Sequence, residues 1–218
     1  MRTMYRCVLV LIVVALVTGT AWADEITDWN QTMLRAALVG ATAPPVTSRV
    51  AAIVQAAVFD AVNGIARRYT PIHVEPAGPA GASRDAAAVQ AAYGTLVQLY
   101  PTQKATFDAR LAVSLAVLGA QEDGAAIASG RAWGQTVADA ILAWRSTDGF
   151  TPAPDPFLGG NNVGQWRPTP PAFASGAVPQ FAYMTPWAIA APSQFRPAGP
   201  PALTSARYAK DLDRKSVV

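Results

Sequence analysis

The sequence predicts an all-α protein: a helical bundle followed by a long irregular segment rich in proline and aromatic residues. Three observations predict it. Apolar residues recur at i, i+3, i+4 and i+7 in several long stretches, the spacing that places them on one face of a helix. No stretch alternates apolar β-branched and polar residues with period two, as half-buried strands do. Apolar types make up 51% of 218 residues and charged types only 14%, which excludes a disordered chain. The single cysteine excludes a disulfide scaffold and a thiolate-built zinc site.

Residues 1–23 read as a signal peptide. Arg2 and Arg6 form a basic start, and Val8 to Val17 is an apolar run of ten, short of the ~20 residues a bilayer-spanning helix needs. Ala21-Trp22-Ala23 then supplies small residues at a signal-peptidase site. Cleavage near Ala23 would remove Cys7 and leave a secreted or periplasmic chain starting at Asp24, without a stable membrane anchor. At the other end, Asp213-Arg214-Lys215-Ser216-Val217-Val218 reads in frame as the translation of a common sequencing adapter. On that reading residues 213–218 are not native, and 203–212 are the start of a truncated helix. Without both ends the chain carries 13 basic and 13 acidic residues, so no basic footprint for nucleic acid remains.

A bundle is expected over 24–146. A short helix covers Trp29 to Val39. The next spans Ser48 to Ile65, with the stripe Val50, Ile53, Val54, Ala57, Val58, Ala61, Val62 and Ile65. Ser48 is its expected N-cap and Asn63-Gly64 its expected stop. Tyr69 to Ala82, with three Pro and two Gly, is a loop. Ser83 opens an alanine-rich helix with Asp85 in the first turn, where a carboxylate suits the dipole. That helix ends at Tyr100, because Pro101 cannot continue it and instead suits the start of another. The following helix carries Phe107, Leu111, Leu115 and Leu118 on one face. Gly119 to Gly124 breaks it, with Asp123 as a cap. Ala125 to Arg145 is a third long helix, and Gly130 and Gly134 leave room on its face for a close neighbour.

Residues 147–202 form a strap. Twelve of the 18 prolines lie here, yet so do Phe150, Phe157, Trp166, Phe173, Phe181, Tyr183, Trp187 and Phe195. Linkers are poor in aromatics, so an ordered segment laid across the helices is expected. A last helix begins at Thr204 or Ser205.

Chemistry is sparse. His73 is the only histidine, and it has no thiolate, second His or Gly-x-Ser-x-Gly elbow to accompany it. Dinucleotide and Walker A glycine patterns are absent. Glu122 and Asp123 are adjacent and diverge on a helix. Asp60, within an apolar stripe, reads as a buried polar anchor. Arg167 and Arg196, each in an aromatic-Arg-Pro triplet, are either oxyanion clamps or, as expected, stacked on the neighbouring ring and bonded to loop carbonyls. No catalytic, cofactor-binding or metal residue is assigned.

The order of segments resembles the N-terminal half of the bacterial vanadium-dependent haloperoxidases, relatives of the type 2 phosphatidic acid phosphatases. The resemblance is carried by Asp28-Trp29-Asn30, by Gln55 to Asn63 (QAAVFDAVN) with Arg68-Tyr69-Thr70-Pro71, and by Gly81-Ala82-Ser83. Further on it is carried by Arg145-Ser146-Thr147-Asp148-Gly149, Gly164 to Pro171 (GQWRPTPP), and Gln194-Phe195-Arg196-Pro197 with Pro200 to Ser205 (PPALTS). It implies an all-helical fold and a parent reaction in which hydrogen peroxide, bound at vanadate, oxidises halide. In the family a Lys, two Arg, a Ser-Gly-His turn and a separate His hold the oxyanion, all in the C-terminal half. Here Gly160 lies seven positions before Arg167 and Ile189 seven before Arg196, where the motif has Lys, and Ser-Gly-His is absent. The resemblance therefore implies an inactive N-terminal part that binds no vanadate itself. A phosphatase parent is the related alternative, and a complete, non-catalytic exported binding or scaffold protein is the alternative of another class.

Overall fold

A computed structural model describes residues 25–215, so the expected signal peptide and the last three residues lie outside the described residues. The fold is all-α. Its helices are α1 (Glu25–Val39), α2 (Pro44–Ala66), α3 (Arg84–Leu99), α4 (Lys104–Gly119), α5 (Gly124–Ser146) and α6 (Ala206–Lys215). Two short 3-10 turns, Pro101–Gln103 and Pro179–Ala182, punctuate the chain. The chain divides into two compact units. The described part of the first comprises 25–42 and 50–139, and that of the second 43–49 and 140–215. The division falls inside α2 and α5.

Local capping chemistry sets several helix ends where expected. The Ser83 hydroxyl accepts from the Ala86 amide at 3.0 Å, and the Asp123 carboxylate accepts from Ala125 and Ala126 at 2.9 and 3.1 Å. Ser205 does the same for Tyr208 at 3.1 Å. These are N-cap bonds to donors that have no partner inside the helix.

The expected start of α2 requires correction, and its end lies one residue past the expected Ile65. The helix begins at Pro44 rather than Ser48, because proline fits a first turn whose N–H groups need no helical acceptor. The Ser48 hydroxyl donates to the Pro45 carbonyl at 2.6 Å instead of capping. At the other end the helix runs through Asn63-Gly64 to Ala66, and Arg67 takes the left-handed conformation at φ 51°. Gly64 is there for packing: a Cβ on it would come within 2.6 Å of the Trp133 indole.

In the first unit α3 is buried on nearly every side, by Ala86, Ala87, Ala88, Val89, Ala91, Ala92 and Leu96. Its small side chains let α5 approach to backbone contact. A Cβ at Gly130 would overlap the Ser83 carbonyl oxygen, and one at Gly134 that of Ala87. The Ser83 amide donates to the Ala126 carbonyl at 3.0 Å, and the Trp133 indole N–H to that of Ala61 at 2.9 Å. On α4, Phe107 and Leu118 are buried and Leu111 and Leu115 half-buried. One described helix, α2, is long and apolar enough to cross a membrane, and 56% of its most apolar window is buried inside the protein.

Gly130→Ala and Gly134→Ala should each lower stability by about 1–3 kcal/mol, the usual range for overpacking. That loss exceeds the ~1 kcal/mol by which alanine is the better helix former. Gly119, where an added methyl group would meet open space, is the control, and its alanine variant should melt at or above the wild type. Thermal melts showing the two interface variants stabilised would contradict the close approach of α3 and α5.

In the second unit residues 147–201 have no regular structure beyond the Pro179–Ala182 turn and one antiparallel bridge, Phe157 to Gly176. The aromatic residues are less buried than expected: Phe157, Trp166, Phe173, Tyr183 and Phe195 are exposed. With no helix or sheet of its own to cover them, the segment pairs rings with one another and with Trp144 of α5. Phe157 stacks on Trp166 at 5.4 Å, Phe150 tilts against Phe181 at 6.1 Å, and Trp144 meets Trp187 edge-on at 5.2 Å.

Candidate functional site

Asp60 is fully buried on α2. Its carboxylate accepts the amides of Ile72, His73 and Val74 at 2.7, 2.8 and 2.8 Å. One turn on, Asn63 donates to the Tyr69 carbonyl at 2.8 Å and accepts from the Arg68 and Tyr69 amides at 3.2 and 2.9 Å. The two side chains pin the loop that follows α2, in place of a helix or sheet ladder. A carboxylate holding three N–H donors is occupied, so Asp60 is the anchor the sequence suggests and not a base. His73 joins this arrangement through its backbone, and its side chain is exposed.

The second unit contains a buried charge cluster. Arg145 is 1% exposed and gives Nε and Nη2 to Asp148 Oδ2 at 3.1 and 2.8 Å. Its Nη2 also reaches the Thr185 carbonyl at 2.8 Å. Arg49 donates to the same carboxylate oxygen at 3.0 Å and to the Arg145 carbonyl at 2.9 Å. The Phe150 amide takes Asp148 Oδ1 at 2.9 Å. Aromatic faces complete the cage: Trp187 lies 4.3 Å and Trp144 4.8 Å from the Arg145 guanidinium, and Phe150 lies 4.4 Å from that of Arg49. Cation–π contact of this kind helps offset the desolvation of a buried cation. Arg145 Nη1 is buried without a hydrogen-bond partner among the described residues.

Sequence reasoning did not find Arg49. The available signal was a cation directly before the apolar stripe of α2. Arg167 donates to the Asn161 carbonyl at 2.7 Å, as expected of a loop arginine. The expected stacking on its neighbour is corrected, because Trp166 pairs with Phe157 instead. Arg196 is exposed.

A further polar group in the first unit was also not found from sequence. Arg110 Nη2 reaches Glu25 and Asp28 at 2.9 Å each. Ser114 donates to Glu25 and accepts the Trp29 indole N–H, the latter at 3.1 Å. Glu25, Asp28, Asp85 and Arg110 line a cavity of about 480 Å³ together with Val113, Val117 and Leu118. Nearby, Tyr93 and Lys104 both bond to Asp108 at 2.7 Å. The hydrogen bond to Asp108 holds the Tyr93 phenol above its ordinary value. The Lys104 and Tyr93 donors hold the Asp108 carboxyl below the usual carboxylate range.

A second cavity of the first unit, about 310 Å³, is walled by Val58, Phe59, Val62 and Ala66 with Arg68 and Arg84 among its lining. Among the described residues no three His, Cys, Asp or Glu side chains gather as a metal site.

No protein-family model, curated protein or solved structure matches this chain. The lone histidine and the caged arginine cluster do not fit vanadate. The one histidine is on an exposed loop of the first unit, and the buried cations of the second, Arg49 and Arg145, share Asp148 and are caged by rings. An oxyanion site needs fixed donors left open toward the ligand.

Proposed function

We propose that residues 24–212 are the helical, non-catalytic front half of an exported protein similar to the vanadium-dependent haloperoxidases. On this reading residues 1–23 are the cleaved export signal. The parent reaction, halide oxidation by hydrogen peroxide at bound vanadate, belongs to residues outside this chain. One observation carries the reading. The buried polar residues Asp60, Asn63, Arg145 and Asp148, which lie in stretches that resemble the family, all hold loops or neutralise buried charge. They are residues a scaffold half requires whatever chemistry its other half performs.

Vanadate titration of the full chain, followed by vanadium NMR, tests this assignment of roles. The expected result is no saturable binding. A saturable site that is lost on Arg145→Gln would place oxyanion chemistry in this half and overturn the reading.

A further inference from the structure

The 310 Å³ cavity of the first unit differs in chemistry from the acidic one. Its wall is the outer stripe of α2, half-buried at Phe59, Val62 and Ala66, with Ile26 of α1 beside it. Arg68 follows α2 and Arg84 is the first residue of α3, and both line the cavity. Neither guanidinium forms an ion pair among the described residues. None of the nearby carboxylates, Asp60, Glu75 and Asp85, pairs with either guanidinium. Asp60 is bound to three loop amides, and Asp85 lines the acidic cavity with Glu25 and Asp28.

Charge and surface together select the occupant. A cation would be repelled by two uncompensated arginines. A neutral apolar molecule would cover the wall and leave both guanidinium groups unused. A small inorganic anion would meet the arginines and leave the apolar wall wet. We propose that this cavity binds an amphipathic monoanion, a carboxylate carried on a short apolar body. The apolar body would lie against Phe59, Val62 and Ala66 and the carboxylate between Arg68 and Arg84, where arginine's planar fork suits it. The volume is at the lower end for small-molecule sites, which favours a single ring or a medium alkyl chain over a long lipid tail. The proposal does not rest on the relation to the haloperoxidases, because it uses none of their oxyanion motifs.

Decanoate, decanol and decyltrimethylammonium share one apolar body and differ in the charge of the head. Calorimetric titration of each into the full chain separates the three occupants. Decanoate is expected to bind at least about tenfold more tightly than either of the others, because only its head can pair with both guanidinium groups. Arg68→Gln with Arg84→Gln should remove that preference, and Arg68→Lys with Arg84→Lys should keep most of it. Both arginines are exposed, so unchanged helical circular dichroism and melting are expected for either double variant. Val62→Trp should block binding of the apolar body regardless of the head. Equal binding of the three probes, or decanoate affinity indifferent to Arg68 and Arg84, overturns the proposal and leaves the wall as a seat for another protein segment. Absence of decanoate binding overturns it too.

Discussion

Asp148→Ala should destabilise the protein by about 3–5 kcal/mol, the range for removing one partner of a buried ion pair. The loss is large because two cations depend on that one carboxylate. Arg145 is 1% exposed and Arg49 only 11% exposed in their pairs with it. Without Asp148 both guanidinium groups would be buried beside aromatic faces with carbonyl oxygens as their remaining polar partners. For a domain of this size the loss corresponds to a fall in melting temperature on the order of 10 °C. The Arg49→Gln variant separates the two dependences. Its own effect should be smaller, since Arg49 lies nearer the solvent, and Asp148→Ala should remain severe in that background because Arg145 is untouched. Chemical denaturation giving less than about 1 kcal/mol for Asp148→Ala would show that the cluster does not hold the second unit together.

Asp60→Ala is the second large effect. It strands the amides of Ile72, His73 and Val74, each of which loses its acceptor. Unsatisfied buried donors are destabilising by about 1–3 kcal/mol apiece, less where water can enter. Val74 is buried and the other two amides lie at the edge, so a total of about 3 kcal/mol is expected. Asp60→Asn keeps one acceptor oxygen and turns an amide N–H toward donors, and should fall between wild type and alanine. Hydrogen exchange gives the local readout. The amides of residues 72–74 should lose protection in Asp60→Ala before the core of α3 does. Unchanged protection at those three amides would contradict the anchoring role.

The parts of the fold that were legible in the sequence are those decided over a few residues. Ser83 and Asp123 cap helices because a short side chain reaches donors two or three residues ahead, and that reach is visible in the sequence. Gly130 and Gly134 advertise a close approach through their spacing of four. Asn63-Gly64 misled because the same dipeptide that ends helices elsewhere is here kept helical by Trp133, a residue far along the chain. The strap was legible as irregular from its prolines. The burial of its rings was not, since burial depends on what surface another segment offers.

The polar clusters divide in the same way. Asp60 declared itself by standing alone within an apolar stripe. The Arg49 and Asp148 pair joins residues 99 positions apart, and no local pattern announces such a pairing. The Arg110 group likewise draws Glu25 and Asp28 from the start of α1, ahead of the Trp29 at which the sequence pattern starts that helix. Arg84 carries no distinguishing pattern in the sequence, and Arg68 enters only as part of a stretch that resembles the family. They become a candidate site because the fold leaves both beside one apolar wall.

The proposed relation to the haloperoxidases is tested most directly by a long sequencing read through the 3′ end of this gene in genomic DNA. The expected result is a frame that continues past Leu212 into a Lys-x6-Arg-Pro segment, a Ser-Gly-His turn and a later histidine. A stop codon immediately after Leu212 would contradict it, and the chain would then stand as a helical binding or scaffold protein.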